Sequence, residues 1–371
     1  MLGTWTWHKL QTDPVLVKKI SDMPFSPFFL VLDANIWIRE RMLRSSLGAA
    51  LLYTIRKIGA RIALSEVTRV EVIKGIVKAG MDSVQQIQNA FVTIQTITGF
   101  RPDYNLPSPQ ELEKSVDERL NDLSDVLHRV NLSFEYMKSA LVRVLNGSSP
   151  NTKKEQFHDS LLWEIALGLA EASEVRLITE DSDFYQDGVT NKGLANDLLQ
   201  EIIEKNRKIT LYRDIGVFLK SVSEKVLPPE PEKVACAIGD ALHGTLTDYA
   251  DNKAFHLGSL ASCEVDSYLT EQKDILAVTF RLSYNITNIQ LAEGTILPIG
   301  SLLVTGNCLA DSASEEISGI ELDRIDCFGP NGEAIPTKRS VYLRIDSVIG
   351  VRRIPYRLGG KLAEALSSNK A

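Results

Sequence analysis

Short apolar segments alternate with amphipathic helical segments through the first two thirds of the chain, and this alternation limits the fold more than any other feature. The apolar segments FFLVL, RIAL, VRLIT and KITLY lie at 28–32, 61–64, 175–179 and 208–212. Each is short and bounded by helix-like patterns, which is typical of a buried strand. Strands that alternate with helices predict a parallel sheet with helices on both faces. We therefore expect a three-layer α/β/α domain over residues 28–222.

Local sequence signals predict the helices between these strands. Gly59 is expected to end the first long helix, and Ser65 is expected to cap the start of the next one. Residues 81–147 predict a mostly helical insertion with a break at 101–110, packed as an amphipathic hairpin or, alternatively, serving as a lid over the substrate. Its helical spacing runs through Leu112, Val116, Leu120, Leu123, Leu127 and Val130. A capping box of Thr152 and Glu155 predicts the start of the following helix.

The sequence changes character after 223–233, a stretch rich in proline and charge that predicts a linker. In ILAVTFRLSYNI (275–286) large apolar residues alternate with small or polar ones, as in a half-buried antiparallel strand. Similar segments follow between turn sequences. We therefore predict a separate β-rich domain at 234–371, a sandwich or a barrel, and an N-terminal extension at 1–27.

Charge and composition exclude some classes of protein. With 41 Lys and Arg against 48 Asp and Glu, the chain lacks the basic excess of a protein that coats nucleic acid, although an enzyme needs only a favourable local field. No apolar run approaches the roughly 20 residues of a membrane helix, and the N-terminus lacks a signal-peptide pattern, so we expect a cytoplasmic protein. The closest cysteines, Cys308 and Cys327, are too far apart for a Cys-x-x-Cys zinc motif.

Acidic residues lie at or near the predicted carboxyl ends of the strands. Asp33 follows the first strand, Glu71 lies two turns into the helix after the second, and Asp159 lies on the helix before the third. Asp181 and Asp183 follow the third strand. Because functional groups gather at this edge of a parallel sheet, we expect the carboxylates to converge. Each also has an ordinary explanation alone: a helix cap, a solvated or ion-paired helix position, or an Asx turn.

Together these acids predict a cation site. Carboxylates at one edge of a sheet repel one another and raise one another's pKa unless a cation lies among them. Hard divalent ions such as Mg²⁺ or Mn²⁺ take oxygen ligands of this kind. A bound metal lowers the pKa of water and neutralises charge on a phosphate, so the arrangement favours phosphodiester hydrolysis by a metal-activated water.

The order and the amino-acid sequences of these motifs resemble those of the PIN domain, a fold of metal-dependent ribonucleases. The resembling segments are LDANIWI (32–38), ALSEVTRVEVIKG (63–75), FHDSLLWEIA (157–166) and LITEDSDF (177–184), within a match from about Phe28 to Val222. The resemblance implies a metal-ligating and catalytic set of Asp33, Glu71, Asp159 and Asp181, with Asp183 as an optional fifth acid. It also implies that Asn35 and Thr179 hold these ligands or a water.

Two features depart from compact, toxin-type members of that family. The stretch between Glu71 and Asp159 is longer, which resembles a larger and poorly characterised prokaryotic PIN-like branch. The β-rich domain has no evident counterpart. Glu66 is an alternative to Glu71 as the second acid. Because Glu66 lies too close to the predicted helix cap, we favour Glu71.

Basic residues flank the acids, and such residues can bind the phosphate backbone of a nucleic acid. The alternative is that they form an ordinary solvated surface of the protein. They are Arg39, Arg41, Arg44, Lys153 and Lys154. Because a 2′-hydroxyl contact has no sequence motif, the residues do not separate RNA from DNA, whereas the resemblance favours RNA. The resemblance is also compatible with a homodimer. The β-rich domain is expected to bind the substrate, a partner protein or a second protomer.

Three kinds of function remain open at this point. The first is a PIN-type nuclease, most simply an endoribonuclease. The second is a PIN-fold scaffold that binds RNA or protein and cuts nothing. The third is a phosphatase of another doubly wound fold, but that class usually places a second Asp two residues after the first, where this chain has Asn35.

Overall fold

The computed structural model describes residues 27–335, except 101–104, 152–155, 191, 225, 253–254, 291–295 and 315. Two five-stranded sheets organise these residues, the first parallel and the second antiparallel. Apart from Pro27, the expected N-terminal extension lies outside the described residues, and so does the expected capping box at 152–155. Within the described ranges, no helix has both the length and the apolar character that crossing a bilayer requires.

The first sheet is parallel throughout and has β1 at its centre. Its strands are β1 (Phe28–Leu32), β2 (Arg61–Ser65), β3 (Leu127–Val130), β4 (Glu174–Ile178) and β5 (Ile209–Tyr212). The spatial order is β3-β2-β1-β4-β5. Because β1 and β4 are neighbours that run in the same direction, Asp33 and Thr179, which follow them, emerge side by side at the carboxyl edge.

Helices cover both faces of this sheet, which confirms the predicted α/β/α architecture. They are α1 (Ala34–Arg39), α2 (Ser46–Ile58), α3 (Glu66–Thr98), α4 (Pro109–Asp122), α5 (Phe134–Leu145), α6 (Phe157–Leu169), α7 (Asn196–Glu204) and α8 (Ile215–Val222). Leu30 and Leu32 pack with buried residues of α2 and α8, and Val31 packs with buried residues of α6. The central strand is therefore buried on both faces, which explains its continuous apolar sequence.

The helix boundaries predicted at Gly59 and Ser65 are confirmed. Gly59 follows α2 with a φ of 77°, a left-handed conformation that glycine adopts at low cost. The Ser65 side chain accepts a hydrogen bond from the backbone N–H of Thr68 (3.0 Å) at the start of α3. Both contacts involve residues close in sequence, so a local pattern is sufficient to predict them.

The prediction of a mostly helical insertion at 81–147 is wrong in one part. The helix α4 ends at Asp122, and Leu127–Val130 forms β3, which pairs in parallel with β2. Leu127 and Val130, expected on a helix face, are buried strand residues. Their spacing suits a helix, but the backbone groups along β2 need partners, and only a neighbouring strand satisfies them. Long-range pairing therefore overrides the local pattern.

The C-terminal domain is β-rich as predicted, but its described strands form one antiparallel sheet rather than a sandwich or barrel. The strands are β6 (His256–Leu269), β7 (Ile275–Gln290), β8 (Ile296–Asp311), β9 (Ile317–Phe328) and β10 (Ala334–Ile335), in the order β10-β9-β8-β7-β6. A helix missed from the sequence, α9 (Pro231–Asn252), begins within the expected linker. Ile238 and Leu242 of α9 share a buried cluster with Val278 and Phe280 of β7. Because this helix covers the apolar face, the sheet needs no second sheet against it.

The opposite face of the antiparallel sheet contacts the first domain. Tyr268 and Ala277 belong to the same buried apolar cluster as the core residues of α2. Ser46, at the start of α2, donates its hydroxyl to the side-chain oxygen of Asn307. The antiparallel sheet is therefore held against the side of the first domain that carries α2.

Candidate functional site

Asp33 is a buried carboxylate at the centre of the carboxyl edge. Its backbone N–H donates to Ile178 O (3.0 Å), which ties the end of β1 to the end of β4. Thr179 Oγ1 donates to Asp33 Oδ2 (2.8 Å), and the backbone N–H of Asn35 donates to Oδ1 (3.4 Å). Burial raises the pKa of Asp33, and the Thr179 hydrogen bond opposes that rise. Asp33 therefore caps α1, as the simpler explanation held, while it also lies at the edge where a site was expected.

The loop after β4 presents two more acids and holds them through short local contacts. The backbone N–H of Asp181 donates to Thr179 Oγ1 (3.1 Å), and that of Asp183 donates to Asp181 Oδ1 (2.8 Å), an Asx-turn contact. Tyr185 Oη donates to Thr179 O (2.7 Å). The Thr179 hydroxyl thus connects Asp33 to the backbone of Asp181, and the loop has little freedom to move either carboxylate.

Asp159 joins this group from the first turn of α6. Its pKa is raised to about 8, first by burial and then by the negative charges of Asp181, Asp33, Glu71 and Asp183. A carboxylate on an open helix surface would not experience this repulsion. The structure therefore brings all five predicted acids into one electrostatic group.

Glu71 reaches the group from α3, and it contacts His158 at the start of α6. The two side chains meet with His158 Nδ1 2.6 Å from Glu71 Oε1. Burial raises the pKa of Glu71, His158 opposes this rise, and the charge of Asp33 adds to it. The rival acid Glu66 instead accepts a hydrogen bond from the backbone N–H of Leu132 (3.2 Å), after β3. Of the two candidates, Glu71 is the one that lies with the other acids.

Gln156, immediately before α6, lies between two of the carboxylates. With its amide nitrogen facing them, Gln156 donates to Asp159 Oδ2 and, at 2.9 Å, to Asp181 Oδ2. Its backbone N–H donates to Asn151 Oδ1 (2.7 Å), which anchors this turn. A neutral amide therefore satisfies two carboxylates that would otherwise face one another.

The chemistry of this group fits a hard divalent cation, although the ligands are not assembled in advance. Oxygen ligands suit Mg²⁺ and Mn²⁺, and carboxylates that raise one another's pKa are the groups that a cation would relieve. In the part of the chain that the structure describes, no three His, Cys, Asp or Glu side chains are placed to hold a metal ion as they stand. Gln156 lies between the carboxylates of Asp159 and Asp181, so cation binding between those two would require rotation of the Gln156 side chain.

Two arginines expected to face a phosphate backbone are engaged with carboxylates. Arg39 Nε donates to Glu40 Oε1 (2.9 Å), and another nitrogen of its guanidinium pairs with Glu180 in the loop after β4. Arg41 pairs with Glu321 of the antiparallel sheet (3.3 Å). Because neighbouring acids already neutralise these guanidinium groups, they link parts of the protein rather than form a basic surface.

The structure places the remaining residues that were predicted to surround the acids as follows. Asn35 is exposed and contacts Asp33 through its backbone N–H, and its expected role in holding a ligand or a water stays a prediction. Arg44 is exposed beyond α1. Lys153 and Lys154 lie outside the described residues.

Sequence reasoning missed Gln156 and His158 as members of the group. Both precede Asp159 within one helical turn, and both have a polar side chain that can donate a hydrogen bond. That proximity is a weak signal, because residues within one turn point in different directions. Their carboxylate partners on α3 and after β4 become evident only once the chain is folded.

Comparison with protein families gives one match. Residues 30–184 match the family model of the PIN domain. The matched segment runs from β1 to the loop after β4 and contains all five acids. Comparisons with curated proteins and with solved structures gave no match.

Proposed function

We propose that the protein is a metal-dependent nuclease, most simply an endoribonuclease, because residues 30–184 match the family model of the PIN domain. PIN domains are commonly nucleases, which supports phosphodiester hydrolysis as the class of reaction. The observation that carries the proposal is that separate chain segments place their carboxylates in one group. Their combined charge and burial raise the pKa of Asp159 to about 8. Such a group is suited to a divalent cation.

In this proposal the carboxylates hold Mg²⁺ or Mn²⁺. The ligands are Asp33, Glu71, Asp159 and Asp181, with Asp183 as a fifth acid. The bound cation supplies a water of lowered pKa and offsets the charge that develops on the phosphate.

The surrounding residues keep the carboxylates in place. Thr179 holds one oxygen of Asp33 through its hydroxyl (2.8 Å) and so limits rotation of that carboxylate. Asp159 has a raised pKa, so it holds a proton near neutral pH and must release it when a cation binds. The choice of RNA over DNA is supported by the resemblance of the motifs to PIN ribonucleases.

A cleavage assay with matched variants tests the proposal. Labelled single-stranded RNA and DNA are incubated with Mg²⁺, Mn²⁺ or EDTA and the wild type, Asp33→Asn or Asp122→Asn. Asparagine keeps the size of Asp33 and can still cap α1, so the first variant tests charge rather than folding. Asp122 is exposed on the last turn of α4, so the second variant controls for the loss of one acid. We expect cation-dependent cleavage of RNA by the wild type and by Asp122→Asn, and none by Asp33→Asn.

Cleavage in EDTA, or cleavage that survives Asp33→Asn, would contradict the proposal.

A second candidate function is a PIN-like scaffold that binds RNA or protein without cutting. The observation in its favour is that no ready set of metal ligands is found among the described residues. The result that this second candidate predicts is no cutting of either polymer in Mg²⁺ or Mn²⁺, with RNA still bound by the wild type.

A further inference from the structure

The contact between Glu71 and His158 joins two helices that are far apart in the sequence. Glu71 lies on α3 and His158 on α6, and Nδ1 of the histidine is 2.6 Å from Oε1 of the glutamate. The Glu71 side chain is 32% exposed and that of His158 is 59% exposed. The contact therefore lies on the side of the acidic group that is open to solvent.

Glu71 differs from the aspartates of the group in how it is held. Asp33 directly follows β1 and Asp181 lies in the short loop after β4; both have short side chains and contact Thr179 or nearby backbone N–H groups. Glu71 stands on a helix and has a longer side chain with more rotatable bonds. Ordering such a side chain costs more conformational entropy than ordering a short one. A contact that orders it in advance therefore matters more for Glu71 than for the aspartates.

His158 is well placed to supply that order. Its imidazole contacts Glu71, and the charge of Glu71 in turn acts on the Asp159 carboxylate, so the three side chains belong to one group. A neutral imidazole that carries its proton on Nδ1 donates the same hydrogen bond as the charged ring, so the contact needs no change of protonation. Carboxylates that bind metals are in turn hydrogen-bonded by neighbouring groups, which fix their orientation.

We propose that His158 is a positioning residue that holds the Glu71 carboxylate beside Asp159, ready for the cation. This inference rests on the proposed metal site and adds a residue to it. His158 acts through Glu71 and takes no part in bond making or breaking.

The test measures Mn²⁺ binding by isothermal titration calorimetry on the full-length chain, so that it does not depend on cleavage. The variants are His158→Ala, which removes the donor, and His158→Asn, whose amide nitrogen occupies about the place of Nδ1. His256→Ala, an exposed histidine on β6, is the control. We expect His158→Ala to weaken Mn²⁺ binding by about 10-fold or more, His158→Asn to recover most of that loss, and His256→Ala to bind as the wild type does.

A second arm separates positioning from a direct contact with the metal. In a Glu71→Gln background, His158→Ala should cause little further loss of affinity, because the residue through which it acts has already changed. Equal Mn²⁺ affinity of His158→Ala and the wild type would overturn the inference, and so would a full 10-fold loss that persists in the Glu71→Gln background. If the wild type binds Mn²⁺ but cuts no nucleic acid, the nuclease proposal fails while the effects on binding still support the role of His158. If the wild type binds no Mn²⁺, both proposals fail.

Discussion

Replacing Asp159 by asparagine should stabilise the metal-free protein, and the stabilisation should grow as the pH rises from 5 to 8. In the folded protein the pKa of Asp159 is about 8, against an ordinary value of 3.8. Between these values the folded state keeps a proton that the unfolded state has released. Raising the pH therefore favours unfolding across this interval, and the free energy of unfolding levels off above about pH 8. Asparagine carries no titrating proton, so the substitution removes the contribution of this residue to the pH dependence of unfolding.

The size of this change in stability follows from the shift in the pKa of Asp159. Each pH unit inside the interval lowers the free energy of unfolding by up to about 1.4 kcal/mol. The three units from pH 5 to pH 8 therefore limit the total loss to roughly 4 kcal/mol. Asp159 is partly exposed and shares its electrostatic environment with four other acids, so solvent screening and relaxation reduce this ceiling. We expect the wild type to lose about 1–2 kcal/mol more than Asp159→Asn over that range.

The measurement is thermal and urea unfolding in EDTA at pH 5, 6, 7 and 8, followed by tryptophan fluorescence. Of the four tryptophans in the sequence, Trp37 and Trp163 are buried in the first domain, so the part of the signal that changes with their exposure reports on the domain that carries the acids. Asp122→Asn is the control and should keep the pH dependence of the wild type. Parallel pH profiles for the wild type and Asp159→Asn would show that Asp159 is not the group that retains a proton on folding.

Three further substitutions test the framework around the site. Thr179→Val removes the hydroxyl that donates to Asp33, so the free energy of unfolding should fall by about 1–3 kcal/mol and Mn²⁺ affinity should fall with it, by denaturation and calorimetry. Arg143→Met leaves two largely buried glutamates without their common partner, so denaturation should show a loss of about 3–5 kcal/mol, while activity per folded molecule stays unchanged. Gly48→Ala would place a Cβ 2.5 Å from the Cα of Leu43, whose φ is 60°, so urea unfolding should show a loss of about 1–3 kcal/mol; wild-type stability would contradict this close approach.

Much of the first domain could be predicted because its signals are local. Buried strands 28–32 and 61–64 are continuous apolar runs, and Gly59 and Ser65 mark helix ends through contacts with their own neighbours. The strand β3 could not be predicted in this way. Leu127 follows a helix and continues its spacing, and only the presence of β2 beside it decides that the backbone extends.

The acidic residues were predictable for a related reason. Carboxyl ends of parallel strands meet at one edge, so the sequence predicts that Asp33 and Asp181 converge, and the structure shows that their strands, β1 and β4, are neighbours. Their hydrogen-bond partners were not predictable to the same degree. Thr179 was expected from the resemblance, whereas Gln156 and His158 were not expected at all.

Local sequence patterns were sufficient to predict the alternation of strands and helices, the edge at which the acids gather, and the change to a β-rich second domain. The contact of Glu71 with His158, the pairing of Arg39 with Glu180, and the helix that covers the second sheet became evident only in the folded chain. The difference lies in the range of the interactions. Hydrophobic periodicity and helix caps are set by residues within a few positions of one another, whereas a side-chain contact between distant segments depends on where the whole chain places them.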